Sequence, residues 1–176
     1  MEIAVEKGTA KASSRAGSEG QPETEAAEAD ADVQALDRGN LRAHVFPGVT
    51  RMLRKLREEG FLLAAVSRTV EPDWARELLR VLRIDQYFHY KEIYPGSKTA
   101  HFKALRAALK KDNLDVPFQN MLFFDDENRN IRDCEKLGIT CIFVENGMNL
   151  ELLLRGLHLF SLNRVAREEK QNNDNN

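Results

Sequence analysis

Met121-Leu122-Phe123-Phe124-Asp125-Asp126-Glu127-Asn128 sets four apolar residues directly before two adjacent carboxylates. An apolar run without alternation reads as a strand buried on both faces. Burying a carboxylate without a partner is costly, so Asp125 and Asp126 must stand where the strand stops and water or a cation takes over. In an open parallel sheet that place is the carboxyl edge, where ligands bind. Two hard oxygen donors there suit Mg²⁺. The same pair would equally serve to cap the helix that begins near Arg129.

Two other strand ends carry groups of complementary chemistry. Phe61-Leu62-Leu63-Ala64-Ala65-Val66 runs into Ser67-Arg68-Thr69, and His89–Tyr94 leads into Pro95-Gly96-Ser97-Lys98. A hydroxyl, an ammonium and a pair of carboxylates brought to one edge make a phosphate-plus-magnesium site. Ser67 and Lys98 would neutralise and orient a phosphoryl group, and the acidic pair would hold the metal that bridges to it. Each piece has a plainer reading. A serine after a strand is commonly a cap or turn residue, a lysine at a helix start is commonly solvated, and Arg68 would be a surface charge flanking the site. Gly96-Ser97-Lys98-Thr99 lacks the leading glycine and the Gly-Lys order of a nucleotide-binding loop. Asp125–Asn128 lacks the alternating ligands and central glycine of a calcium loop.

The elements that must position these groups follow from periodicity. Pro47 is placed for a first helical turn, and Val49, Met52, Leu53 and Leu56 recur at helical spacing until Gly60 stops the helix. A second helix opens around Pro72 and carries Trp74, Leu78, Leu79 and Leu82; a third carries Phe102, Leu105 and Leu109. Ile131, Cys134 and Leu137 line a fourth, which Gly138 ends. Ile139–Val144 is a further buried strand, and Leu150, Leu153, Leu154 and Leu157 build a last helix after the Asn146-Gly147 turn. Alternating strands and helices with short links predict an α/β fold, a mostly parallel sheet with helices on both faces.

Residues 1–40 contain no aromatic residue and are rich in Ala, Glu, Ser and Gly. Such composition buries too little apolar area to offset chain entropy, so a disordered low-complexity segment is expected there, a folded domain over 41–163 and a polar flexible tail over 164–176. Glu2-Ile3-Ala4-Val5 is the exception, able to form a short strand. Asp30-Ala31-Asp32 has the spacing of a catalytic pair, but no apolar strand precedes it, and it reads as acidic linker. The 176 residues carry 26 basic and 28 acidic side chains, a formal charge of -2, which gives no electrostatic case for a nucleic-acid partner. Cys134 and Cys141 sit in apolar segments and read as buried free thiols. No apolar run is long enough to span a bilayer and no signal-peptide core is present, so a soluble, cytoplasmic protein without membrane association is expected.

The order of the pieces separates two phosphoryl-transfer designs. A bacterial receiver domain places its acidic pair first; here Ser67 and Lys98 precede Asp125 and Asp126. Val66-Ser67-Arg68-Thr69, Glu92-Ile93-Tyr94-Pro95-Gly96-Ser97-Lys98, Phe123-Phe124-Asp125-Asp126-Glu127 and Cys141–Leu150 closely resemble the eukaryotic magnesium-dependent phosphatases of the haloacid dehalogenase (HAD) superfamily, over roughly Asn40 to Phe160. The resemblance implies a Rossmann-like HAD fold, Mg²⁺ as cofactor, a monomer, and a phosphorylated small molecule or phosphotyrosine as substrate. It implies that Ser67 binds the phosphoryl group with the Arg68 backbone or side chain beside it, and that Lys98 is catalytic, stabilising the nucleophile and the transferred group. Asp126 would be a metal ligand, ordered by Asp125. The family's first motif, Asp-x-Asp-x-Thr after a buried strand, supplies the nucleophile and the acid. No such motif occurs in this sequence. The central strand that carries it is therefore expected to be absent or replaced, and activity impaired.

Overall fold

The computed structural model describes residues 2–7, 34–36 and 42–174. Asp30 and Asp32 lie outside them. The strands are β1 (Glu2–Lys7), β2 (Gln34–Leu36), β3 (Arg42–His44), β4 (Phe61–Ser67), β5 (Tyr90–Ile93), β6 (Leu122–Asp125) and β7 (Thr140–Phe143). The helices are α1 (Val49–Glu58), α2 (Pro72–Val81), α3 (Lys98–Lys111), α4 (Asn128–Glu135) and α5 (Leu150–Asp174). Local sequence explains the boundaries. Gly60 takes the left-handed φ of 82° that ends α1. Pro72 opens α2. Ser97 caps α3, its Oγ accepting from the Ala100 amide at 3.2 Å.

A five-stranded sheet runs in the order β5-β4-β1-β6-β7, and β2 and β3 pair separately. β4 pairs with β5 in parallel, Ser67 opposite Ile93, and β6 pairs with β7 in parallel, Asp125 opposite Phe143. The short strand read at Glu2–Val5 is present as β1 and takes the centre, but it runs antiparallel to both β4 and β6. The four outer strands thus share one direction, and their carboxyl ends share one rim. β1 alone reverses: Glu2 lies opposite Val66 at that rim, and Lys7 lies opposite Phe61 at the far edge.

Helices cover both faces. Leu53 of α1, Leu79 of α2 and Leu153 of α5 pack on Leu63, Ala65, Leu122, Phe124 and Ile142. Phe102, Leu105 and Leu109 of α3 and Ile131 and Cys134 of α4 pack on Ala64, Val66, Phe123 and Cys141. The two-residue period of a strand divides each strand's side chains between these cores, so β6 sends Leu122 and Phe124 one way and Phe123 and Asp125 the other. Phe123 meets Phe102 edge-on, with ring centroids 4.9 Å apart. α5 lies close over β6 and β7 because Gly156 has no side chain: a Cβ there would fall 2.6 Å from Phe124 Cζ. Among the described residues no helix is long and apolar enough to cross a membrane.

Candidate functional site

The rim is built outward from Asp125. The pleat turns this last residue of β6 toward α3 and α4, where its side chain is fully buried. Its oxygens are therefore met by protein. Oδ1 accepts from the Glu127 amide at 2.6 Å and from Asn130 Nδ2 at 3.1 Å, and Oδ2 accepts from Asn130 Nδ2 at 2.9 Å. The Lys98 ammonium lies 3.8 Å from Oδ2. Asp125 thus turns the chain into α4, as a cap would, and also anchors a charge network. Asp126, one residue past the strand, is exposed.

Lys98, the first residue of α3, is itself buried. Its Nζ donates to the Val66 carbonyl at 2.8 Å and stands over the Phe123 ring, 5.7 Å from its centroid. Burial pushes this ammonium below its ordinary value; Asp125 opposes the shift, followed by Cys134, Glu127 and Asp126. The turn that feeds Lys98 into the rim is tied from behind by His101. That side chain is fully buried, with ring nitrogens 2.6 and 2.8 Å from the Ser97 and Tyr94 carbonyls. Ser67 ends β4 beside Val66, and its Oγ accepts a long bond, 3.4 Å, from the Thr69 amide. Lys98 therefore reaches from α3 to the ends of both β4 and β6, and Ser67, Lys98, Asp125 and Asp126 share one rim.

The Arg68 guanidinium reaches across the rim to α4. Its Nη1 donates to Asn130 Oδ1 at 2.9 Å and to Glu127 Oε2 at 3.1 Å. Asn130, buried in the first turn of α4, was not singled out from the sequence. A signal existed: it precedes Cys134 by four residues, which sets a polar amide on the buried face of that helix. Beside the acidic pair opens a cavity of about 640 Å³. Val49, Leu53, Phe88, Phe124 and Met148 are among its walls, and Asp125, Asp126 and Glu145 also line it. Ser67 and Lys98 lie outside its lining.

The family described as acid phosphatase matches residues 19–163. This chain belongs to that family. Human magnesium-dependent phosphatase 1 is 43% identical over 130 residues, covering 74% of this chain and 71% of the human protein. A HAD-like hydrolase superfamily protein of Schizosaccharomyces pombe is 28% identical over 131 residues, 68% of this chain and 73% of its own. A putative magnesium-dependent phosphatase of Saccharomyces cerevisiae is 29% identical over 122 residues, 61% and 66% of the two chains. The family membership implied by the motifs is thus observed, and the α/β sheet with helices on both faces is the HAD-like, Rossmann-type fold expected of it.

Whether the residues suit a divalent cation can be judged from their chemistry. Among the described residues no three His, Cys, Asp or Glu side chains are arranged to hold a metal. Mg²⁺ commonly takes one or two carboxylates and fills its octahedron with water and substrate phosphate. An exposed Asp126 beside a held Asp125 fits that smaller demand.

Proposed function

We propose that this chain carries a HAD-type phosphoryl site that binds Mg²⁺ and a phosphomonoester, with hydrolysis impaired. The observation that supports it most is the buried Lys98 ammonium, bridging the Val66 carbonyl and the Asp125 carboxylate. A fixed cation at a strand rim holds and orients a dianion. Ser67 supplies a hydroxyl donor from the neighbouring strand end. Asp126 is the carboxylate that would hold Mg²⁺, with Asp125 ordering its loop; the bound ion would neutralise charge on the phosphoryl oxygens. The relatives' names support Mg²⁺, and the resemblance extends the substrate class to phosphotyrosine and sugar phosphates.

Impairment has two supports. The sequence holds no Asp-x-Asp-x-Thr. The central strand also runs backwards, its carboxyl end lying opposite Phe61 and away from Ser67 and Asp125. A nucleophile following that strand would sit at the wrong edge. The same observation favours a second reading, a phosphate-binding or regulatory relative without turnover.

Hydrolysis of p-nitrophenyl phosphate with Mg²⁺, run beside calorimetric titration of inorganic phosphate, tests both. The proposal expects phosphate binding lost in Lys98→Ala, with turnover weak or absent. Vigorous turnover abolished by Asp126→Asn would show that another residue supplies the nucleophile. No phosphate binding at any Mg²⁺ concentration would end both readings.

A further inference from the structure

Two residues that the phosphoryl site does not itself require join its halves. Arg68 belongs to the loop after β4 and Asn130 to the first turn of α4, yet their side chains meet at 2.9 Å. Asn130 passes the contact on, its Nδ2 donating to both oxygens of Asp125. We propose that Asn130 is a positioning residue for the cation loop, and that the Arg68 guanidinium acts through Asn130 and not by touching the phosphoryl group. The inference rests on reading the acidic pair as the cation site.

The chemistry of the amide carries the argument. A carboxylate only accepts, a guanidinium only donates, and an amide does one at each end. One orientation of Asn130 satisfies both neighbours: oxygen toward Arg68, NH₂ toward Asp125. Asp125 favours that orientation from one side and Arg68 holds it from the other. Turned over, the amide would set its oxygen against the Asp125 carboxylate, in a setting with Asn130 3% exposed and Asp125 1% exposed, where unmatched polar groups are costly. Asp125 is otherwise held through the Glu127 amide, one residue beyond Asp126. A shift of Asp125 therefore moves the backbone on both sides of Asp126. Arg68 also meets the Glu127 carboxylate at 3.1 Å, but that side chain is 56% exposed and solvent leaves such a pair little to contribute. A guanidinium held by Asn130 and Glu127 is aimed at the cation loop.

The test uses the full chain and two probes titrated separately by calorimetry, Mg²⁺ alone and inorganic phosphate alone. Outer-sphere partners of metal ligands commonly change affinity 10- to 100-fold. Arg68→Ala and Asn130→Ala should each weaken Mg²⁺ by roughly 10-fold, leaving phosphate binding measured without metal nearly unchanged. The double variant should be no weaker than the worse single one, because Arg68 works through Asn130. Arg68→Lys, which keeps a donor, should recover part of the loss. The inference is overturned if Arg68→Ala weakens phosphate and spares Mg²⁺, or if the two losses multiply. If Asn130→Ala does not fold, Arg68→Ala and Arg68→Lys still decide. Should the unaltered chain bind no Mg²⁺, the cation reading fails separately, and the Asn130 side-chain amide in ¹H–¹⁵N spectra decides this point. Its two NH₂ signals should move and lose exchange protection in Arg68→Ala; unchanged signals would refute the inference.

Discussion

Replacing Lys98 by methionine tests the rim most directly, because it keeps most of the apolar stem and removes the charged end. The ammonium lies 3.8 Å from Asp125 Oδ2. At an effective dielectric constant of about 20 that separation corresponds to an attraction of about 4 kcal/mol. The Val66 carbonyl also loses its donor at 2.8 Å, about 1 kcal/mol net. Against these stands the cost of burying the ammonium, which methionine does not incur. Asp125 keeps its bonds from Glu127 and Asn130, so its charge is only partly stranded. The lowered value of the ammonium shows that this burial outweighs the attractions, so the net change should stay within about 1 kcal/mol. In urea, with a slope of about 2 kcal/mol per molar, the midpoint should move by no more than about 0.5 M. Adding Asp125→Asn should cost less in the Lys98→Met background than in the unaltered chain, because the charge it removes is already without its partner. A coupling of at least about 1 kcal/mol is expected. Additivity within about 0.5 kcal/mol would refute the idea that Lys98 and Asp125 stabilise one another.

The same lysine has a pH signature. Its folded value lies below 10.5 because of burial, so from that lowered value up to 10.5 the unfolded chain binds the extra proton. Its contribution to stability therefore rises with pH across this window, while phosphate binding falls. Unfolding and phosphate titrations should both show this, and Lys98→Met should lack the pH-dependent stability term. Asp126→Asn, at an exposed position, should leave the melting curve within about 0.5 kcal/mol of the parent and reduce Mg²⁺ affinity by calorimetry at least about 10-fold. Gly156→Ala should destabilise by roughly 1–3 kcal/mol, since the added Cβ meets Phe124 at 2.6 Å and Ile142 at 3.2 Å. That outweighs the gain of up to about 1 kcal/mol in an open helix; a variant that melts higher than the parent would contradict the close seating of α5.

Much of this molecule is legible without coordinates, and particular residues show why. Leu53, Leu79, Phe102 and Leu153 recur at helical spacing, and each is buried where that spacing puts it. Helical periodicity is written in neighbouring residues and needs no knowledge of what lies opposite. The runs Phe61–Val66 and Met121–Phe124 likewise announce strands covered on both faces. Because parallel strands present their carboxyl ends together, Ser67, Lys98 and the acidic pair could be assigned to one rim before their separations were known.

Tertiary structure decided who answers each polar group. Arg68, expected beside the phosphoryl group, reaches Asn130 and Glu127, 62 and 59 residues away. His101 reads as one more residue on a helix, yet it ties the turn that delivers Lys98. The direction of β1 was open as well: Glu2-Ile3-Ala4-Val5 has the composition of a strand, but its antiparallel course is set by pairing with β4 and β6. The physical reason is common to all three. Apolar burial depends on which face a residue occupies, and sequence spacing sets the face. A hydrogen bond or a strand pairing depends on which distant segment arrives there, and only the assembled chain determines that.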